Sequence, residues 1–355
     1  MFKVAVLFFL LFGVFLGTAS DGDANSRNYR GELIVLAAPL SGDPYYADMA
    51  DKIFNFHVEF ARQIKRHNDS VLILVDEENY EKYVNALGRE SVAIYPMADI
   101  WMRDFGLSNA ANPVLFRYTA AAQGGGLKGQ READAVQHDL VQLLSKAGVQ
   151  YRKLDLLNDG GNLVDDYAGN AVLSNKFLRD NNLTESAARK LLRERLNLKN
   201  VAFIDSDEQG GLEHADGVVS FVDENTLVIN SYDDHEYSQK LVEDLKRGLP
   251  GVRITKVVTP YDDSSVYDER FGSACGLYTN ALVTPDRIYL PQFGIPEDEI
   301  ARKCFKEISC KEIVPVFSSE VCLMGGGVRC MSWQLRGTNA RNLLEYFDLN
   351  ILSEE

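Results

Sequence analysis

Leu33-Ile34-Val35-Leu36 is a short, entirely apolar run, and it predicts one buried β-strand. After it, apolar residues recur at spacings of four and three over residues 49–64, which predicts an amphipathic helix. Residues 71–75 are again apolar and predict a second strand. A strand, a helix and a strand in succession favour an α/β fold in which helices cover a sheet. The apolar face of the helix consists of Met49, Ile53, Phe56, Phe60 and Ile64.

The same alternation continues along the chain. Further helices are predicted at residues 132–147, 185–196, 235–247 and 296–307. Further strands are predicted at residues 201–204, 218–222, 226–229 and 277–283. No Pro/Ser-rich linker interrupts this pattern, so one domain over residues 31–350 is favoured, although the length also allows two. The glycine-rich residues 120–130 predict a mobile loop, which is either a plain surface loop or a lid over a site.

Residues 1–20 have the pattern of a secretory signal peptide. Lys3 precedes an uncharged apolar run over residues 4–16, and small residues follow at 17–20. The apolar run is too short to span a bilayer comfortably, so no membrane span is expected after cleavage. An uncleaved anchor is the alternative. The protein is therefore expected to be secreted or to lie in the lumen of the secretory pathway.

The net charge of −15 bears on the class of ligand. Nucleic-acid binding needs clustered Lys and Arg, so this class is excluded. An acidic surface favours encounter with cationic ligands by long-range attraction. The plainer interpretation is that the acidity only keeps an exported protein soluble.

Five cysteines leave at least one unpaired. Cys275, Cys304, Cys310 and Cys322 could supply up to two disulfides. The motif around Cys330 favours it as the unpaired cysteine. This number is too low for a disulfide scaffold, so the fold depends on its apolar core.

The histidines do not form a metal motif. His57, His67, His138, His214 and His235 include no HExxH and no close pair on one helix face, and the chain has no CxxC. Neither a metal nor a cofactor is therefore predicted. His57 and His138 are expected on outer or flanking helix faces, which leaves His214 as the best candidate for catalysis.

Three segments carry the chemistry. Gly325-Gly326-Gly327-Val328-Arg329-Cys330 places a cysteine after glycines, where backbone approaches a ligand closely. His214-Ala215-Asp216-Gly217 and Trp101-Met102-Arg103-Asp104 supply a histidine and two separated aspartates. A cysteine nucleophile needs a base or a charged environment to reach the thiolate. Each segment alone is better explained by a structural role, but together they favour covalent cysteine chemistry on a cationic group.

The joint pattern resembles the agmatine deiminase and Porphyromonas-type peptidylarginine deiminase family, within the guanidine-modifying pentein superfamily. Five motifs occur in family order and cover residues 33–334, nearly all of the chain after the predicted signal peptide. They are Asp99-Ile100-Trp101-Met102-Arg103-Asp104-Phe105-Gly106, Gly160-Gly161-Asn162-Leu163, His214-Ala215-Asp216-Gly217, Leu277-Tyr278-Thr279-Asn280 and Gly325-Gly326-Gly327-Val328-Arg329-Cys330-Met331.

This resemblance implies an α/β propeller of five ββαβ units around a central active site. It also implies that Cys330 attacks the guanidinium carbon and that His214 serves as acid and then as base. Asp104 and Asp216 would hold the guanidinium nitrogens, which suits a planar cation that carries a fork of N–H donors. Further substrate contacts are implied for Trp101, Asp99, Arg103, Asn162, Asn280 and Arg329.

Two departures from the family concern the site. Arg329 replaces a common His, and this extra cation would either lower the pKa of Cys330 or shift the distal contacts of the substrate. Asp159 stands where Glu is commoner. The predicted reaction converts the terminal guanidino group of agmatine or peptidyl-arginine to a ureido group and ammonia. The alternatives are a catalytically altered binding protein and a cysteine amidinotransferase; oligomeric state is not predicted.

Overall fold

The computed structural model describes residues 32–207 and 211–349, which form fifteen strands and nine helices. The predicted signal peptide lies outside the described residues. The helices are α1 Ala50–Arg66, α2 Glu77–Leu87, α3 Met102–Phe105, α4 Gly126–Lys146, α5 Lys176–Asp180, α6 Glu185–Leu196, α7 His235–Gly248, α8 Glu297–Ile308 and α9 Gly337–Tyr346. The strands are β1 Leu33–Ala37, β2 Ser70–Val75, β3 Val92–Ile94, β4 Val114–Arg117, β5 Arg152–Leu157, β6 Val164–Asp165, β7 Asn170–Ser174, β8 Asn200–Ile204, β9 Val219–Asp223, β10 Thr226–Asn230, β11 Arg253–Val257, β12 Leu282–Val283, β13 Arg287–Gln292, β14 Glu312–Phe317 and β15 Trp333–Leu335.

Across the described residues these strands form five sheets with a recurring connection. In three of them, two antiparallel strands are followed by a helix and a third strand parallel to the second: β6-β7-α6-β8, β9-β10-α7-β11 and β12-β13-α8-β14. In the sheet of β4 and β5, which are parallel and joined through α4, an antiparallel bridge between Ser108 and Val114 replaces the first strand. The mixed α/β class predicted from the sequence is confirmed.

The remaining sheet brings the two ends of the described chain together. Its order is β15-β1-β2-β3, and β15 runs antiparallel to β1 with Leu335 opposite Leu33. The last strand therefore completes the sheet that the first strand begins, with α1 between β1 and β2. This pairing also fixes the turn just before β15, which contains Cys330.

The helices form where apolar periodicity and capping agree. The predicted face of α1 is buried at Ile53, Phe56, Phe60 and Ile64, which confirms the helix inferred from spacing. The hydroxyl of Thr184 accepts a hydrogen bond from the Ala187 amide at the start of α6. Asp76 and Asp234 cap α2 and α7 in the same way. No helix among the described residues combines the length and apolar character needed to cross a membrane.

Two predicted boundaries are wrong. Helix α4 begins at Gly126, inside the segment predicted as a loop, and Gly124, Gly125 and Gly126 all have positive φ. Glycine propensity argues against a helix here, but Gly129 packs so tightly under the turn at Ala121–Gln123 that a Cβ would lie 2.6 Å from the Gln123 carbonyl oxygen. The predicted strand over residues 277–283 shortens to β12, because its first half folds into turns beside the cavity described below.

His57 is also placed differently from the prediction. It is fully buried rather than on an outer face, and its Nδ1 lies 3.0 Å from the hydroxyl of Tyr83. Burial lowers the pKa of His57 to about 3, so the ring stays neutral in the core.

Candidate active site

A cavity of about 900 Å³ is lined by the cysteine, the histidine and the two aspartates that the motifs predict to be catalytic. Asp104 lies on α3, and Asp216 lies in the short 3-10 helix Ala215–Gly217 just before β9. Cys330 lies in the turn before β15. Each group therefore comes from a short irregular segment beside a buried strand, and the packing of the sheets brings these distant segments together.

Cys330 is a buried thiol with a polar neighbour on two sides. Asn280 Nδ2 donates a hydrogen bond to its Sγ at 3.0 Å, and Asp216 Oδ2 lies 3.9 Å from the sulfur. Burial raises the pKa of Cys330 well above its ordinary value, and the negative charges of Asp216 and Asp104 raise it further. Before a cation binds, Cys330 is therefore a thiol. The positive charge of Arg329 does not outweigh these effects on the pKa of Cys330.

His214 lies between two carboxylates. Its Nε2 donates to Asp159 Oδ2 at 3.1 Å, and its Nδ1 lies 3.7 Å from Asp104 Oδ1. Burial alone would lower the pKa of His214, but the charges of Asp104 and Asp159 outweigh this effect and raise it to about 10. The imidazole is therefore protonated at neutral pH and can donate a proton.

Asp159 is a site residue that the sequence analysis noted only as a departure from the family. It is 2% exposed and accepts hydrogen bonds from the Thr119 amide and hydroxyl, both at 2.8 Å. Burial would raise the pKa of Asp159, but the hydrogen bond from His214 and the charge of its imidazolium outweigh this and lower it. Its position directly before Gly160-Gly161 was the available sequence signal.

Two glycines are required by close approach to the catalytic groups. A Cβ at Gly161 would lie 2.5 Å from His214 Nδ1 and 2.9 Å from Asp104 Oδ1. A Cβ at Gly326 would lie 2.4 Å from the Trp101 ring and 3.0 Å from the Cys330 Cβ. Any larger residue at either position would displace a side chain that lines the cavity.

Asp216 is held by Arg329. Arg329 Nη1 donates to Asp216 Oδ2 at 2.5 Å, and Nη2 donates to the Leu163 carbonyl oxygen at 2.8 Å. Arg329 is 9% exposed and does not line the cavity. Its guanidinium therefore lies behind Asp216, and the carboxylate lies between it and the cavity that contains Cys330.

Two acceptors on the cavity wall have no donor. Asp104 Oδ1 and Asn280 Oδ1 are buried and have no hydrogen-bond partner among the described residues. Burial raises the pKa of Asp104 to about 7. A buried acceptor without a donor is costly, so these two oxygens are suited to a ligand that brings N–H groups.

No cluster of three or more His, Cys, Asp or Glu side chains suited to a metal ion occurs within residues 32–207 and 211–349. Two acids at the site are instead paired with charged side chains, Asp159 with His214 and Asp216 with Arg329.

Four of the predicted substrate contacts do not line the cavity, namely Arg329, described above, and Asp99, Arg103 and Asn162. Asp99 accepts from the hydroxyl of Tyr46 at 2.7 Å, and burial raises its pKa. Arg103 Nη2 donates to Gln334 Oε1 at 2.9 Å, and Asn162 Oδ1 accepts from a backbone amide of β7. These residues support the segments around the site. Trp101 and Asn280, by contrast, are on the cavity wall.

The outer part of the cavity was not predicted. It is lined by Asp207, Tyr232, Asp233, Tyr261 and Phe271, and the hydroxyl of Tyr232 donates to Asp207 Oδ2 at 2.7 Å. No Lys or Arg from the described residues lines the cavity. No sequence motif marks this region, because its residues come from three loops, those after β8, β10 and β11, which meet only after folding.

One disulfide supports the wall of the cavity. Cys275 is bonded to Cys322, while Cys304, Cys310 and Cys330 are free. Cys275 follows Ala274, which lines the cavity, and Cys322 begins the short helix that leads to Gly325. The bond joins two cavity-lining segments, and Cys330 is unpaired as predicted.

Comparison with known proteins agrees with the geometry. The solved structures that share the fold include two agmatine deiminases and an amidinotransferase. The agmatine deiminase of C. jejuni has a TM-score of 0.69 at 20% identity and covers 86% of this chain and 94% of its own. The agmatine deiminase of Enterococcus faecalis has a TM-score of 0.68 at 18% identity, with coverages of 88% and 94%. An amidinotransferase from Microseira wollei has a TM-score of 0.56 at 12% identity, with coverages of 87% and 96%.

At these identities the structural likeness shows the fold alone. The family assignment comes from sequence, because the profile of Porphyromonas-type peptidyl-arginine deiminases matches residues 29–335. This range contains all five motifs and every residue of the site. The chain therefore belongs to the Porphyromonas-type peptidyl-arginine deiminase family, whose members are hydrolases of C–N bonds in linear amidines.

Proposed function

We propose that this protein hydrolyses a terminal guanidino group to a ureido group and ammonia through a covalent amidino-thioether on Cys330. One observation carries the proposal. A single cavity joins the Cys330 thiol, the protonated His214, and two buried acceptors, on Asp104 and Asn280, that have no donor. A guanidinium is a flat cation with N–H donors around its rim, so it matches both the charge and the missing donors.

Binding of the cation prepares the nucleophile. The charges of Asp104 and Asp216 oppose thiolate formation in the empty site, and a bound guanidinium offsets them. The thiol then loses its proton to solvent, and Sγ bonds to the guanidinium carbon. The carboxylates hold the plane of the substrate still, which supplies the near-attack geometry.

Proton transfer by His214 completes the two steps. In the first step the imidazolium donates a proton to the leaving nitrogen, the C–N bond breaks, and ammonia departs. In the second step the neutral imidazole takes a proton from water, whose oxygen bonds to the amidino carbon as the S–C bond breaks. The second proton of that water passes to the departing thiolate, which restores the Cys330 thiol and leaves the neutral ureido product.

The outer cavity supports agmatine as the substrate. Asp207 and Asp233 face this region and no Lys or Arg of the described chain lines it, so a distal ammonium is favoured. The α-carboxylate of free arginine would find no cation there. An arginine within a peptide lacks that carboxylate charge. An arginine-containing peptide is therefore the second candidate substrate to be tested.

The decisive experiment incubates the purified protein separately with agmatine, free arginine and an arginine-containing peptide, and measures ammonia and ureido product. Turnover of agmatine is expected, with no turnover in Cys330→Ser. Acid quenching during turnover should trap Cys330 carrying the mass of the substrate less ammonia. Added glycine or a diamine is expected to leave the product unchanged; a transferred amidino group would instead indicate an amidinotransferase. Absence of turnover with all three substrates would contradict the proposal and leave the binding-protein alternative.

We further infer that the protein is exported. The signal-peptide pattern at residues 1–20 and the disulfide between Cys275 and Cys322 support this, because stable disulfides are typical of oxidising compartments. Expression with the native N-terminus, followed by N-terminal sequencing of the secreted chain, tests it. Recovery of uncleaved protein only inside cells would contradict it.

We also infer that residues 31–350 form one domain in which five ββαβ units surround the site as a propeller. The repeated connection of the five sheets and the pairing of β15 with β1 support this arrangement. An experimental structure that separated these sheets into two bodies would contradict it.

A further inference from the structure

We propose that Arg329 is a positioning residue, which holds the Asp216 carboxylate from behind so that it faces a cationic substrate beside Cys330. This inference rests on the proposed function, because it assigns a role within the same site.

The contacts of Arg329 join four segments of the site. Its guanidinium bridges Asp216 and the carbonyl oxygen of Leu163, the residue that ends the Gly160-Gly161-Asn162-Leu163 motif. Its backbone amide donates to the Asn280 carbonyl oxygen at 3.2 Å. Cys330 is the next residue along the chain. One side chain and its backbone therefore tie together the segments that carry two predicted substrate contacts and the nucleophile.

Within the described part of the chain, Asp216 has few other contacts that keep its orientation. It is 2% exposed, and apart from Arg329 its near neighbour is the Cys330 sulfur at 3.9 Å. Arg329 bonds Asp216 through Nη1 and the Leu163 carbonyl oxygen through Nη2, so the guanidinium cannot rotate without losing a bond. A carboxylate anchored in this way loses little conformational freedom when the substrate binds.

Other roles for Arg329 fit less well. It does not line the cavity, so direct contact with substrate is not supported. Its charge does not make Cys330 a thiolate, because burial and the nearby acids prevail. A purely structural ion pair would not need to connect Asp216 to the Leu163 segment that stands beside the cavity.

The test measures how strongly the site favours a cationic over a neutral reagent at Cys330, and it does not rely on turnover. 2-Chloroacetamidine is a planar cation and 2-chloroacetamide is its neutral near-isostere; each alkylates a thiol with loss of chloride. The two rates at Cys330 are followed by mass spectrometry of the peptide that contains it, which separates Cys330 from Cys304 and Cys310. The ratio of the cationic to the neutral rate reports the contribution of Asp216 and its neighbours.

In the wild type this ratio is expected to exceed one. Arg329→Met is expected to lower this ratio at least about tenfold, because the Asp216 carboxylate loses the charge-assisted hydrogen bond that orients it. Arg329→Lys keeps one charged donor for Asp216 but not the fork, so an intermediate ratio is expected. With agmatine, Arg329→Met should raise KM more than it lowers kcat.

Arg287→Met is the matched control, because Arg287 pairs with the buried Asp69 at 3.2 Å and neither residue lines the cavity. Its ratio is expected to stay within about twofold of wild type, since the two sites are independent. A ratio near one in the wild type, or an unchanged ratio in Arg329→Met, would overturn the inference. If Arg329→Met does not fold, an unchanged ratio in Arg329→Lys overturns it equally. Lack of agmatine turnover by the wild type would instead count against the proposed function.

Discussion

A single added methyl group at Gly161 is predicted to disable the site while leaving the fold intact. Gly161 does not have a positive φ, so alanine is compatible with its backbone. The new Cβ would nevertheless lie 2.5 Å from His214 Nδ1 and 2.9 Å from Asp104 Oδ1. Both groups belong to the proposed machinery, and both are held in place by burial.

The size of the effect follows from these distances. Ordinary contact requires the imidazole to retreat by about 1 Å. That movement also lengthens the 3.1 Å hydrogen bond from His214 to Asp159. A displacement of about 1 Å at a reacting group costs about 100-fold in rate, or about 2.7 kcal/mol in the activation barrier. The stability change is expected to be small, because alanine in an allowed conformation gains about 0.4–1 kcal/mol through the unfolded state.

The assay compares kcat/KM for agmatine with the thermal midpoint of each variant. Gly217→Ala is the matched control, because a Cβ there meets no heavy atom within 4 Å and Gly217 also lacks a positive φ. Gly217 also lines the cavity, so this variant adds a methyl group to the same wall without displacing His214 or Asp104, and it is expected to lose at least about tenfold less kcat/KM than Gly161→Ala. Equal kcat/KM for the two variants, in folded proteins, would show that His214 need not occupy its observed position.

Three further predictions concern other parts of the site. Cys330→Ser is expected to lower ammonia release by about 10³-fold or more with an unchanged fold, and retained hydrolysis would exclude Cys330 as the nucleophile. Asp159→Asn removes one of the charges that raise the pKa of His214 to about 10. His214 should then lose its proton at a pH at least about one unit lower, and the alkaline fall of kcat/KM should move with it. If kcat/KM of the variant falls at the same pH as that of the wild type, a group other than His214 causes the fall. The double variant Cys275→Ser/Cys322→Ser opens a covalent loop with a sequence separation of 47 and is expected to lose about 2–4 kcal/mol of unfolding free energy in urea titration. Equal stability of this variant and the wild type would contradict the role given to the disulfide.

Local periodicity predicted the regular elements well, and it was wrong where glycine or a functional turn intervened. Helix α1 and strand β1 follow their patterns because burial of one face is sufficient to select each element. The start of α4 and the segment before β12 do not follow the patterns predicted for them. In the first case packing under a turn overrides glycine propensity. In the second, backbone that the apolar pattern predicts as strand is used to aim Asn280 into the cavity.

The direction of each side chain could not be inferred from its place in a motif. Trp101 and Asp104 are three residues apart and both line the cavity, as expected for one face of a helical turn. Arg103, between them, points away toward Gln334. A motif specifies which residues are adjacent in the chain, whereas a tight turn sends adjacent side chains to opposite sides.

The amino-acid sequence alone determined the chemical groups of this protein: a thiol after a glycine run, an imidazole, and separated carboxylates in a family order. The partners of those groups depend on the folded chain. His214 is paired with Asp159, Asp216 with Arg329, and Cys275 with Cys322, across long stretches of chain. The physical reason is that charge, desolvation and hydrogen bonding depend on distance in space. Spacing along the chain reports only the neighbours within one element.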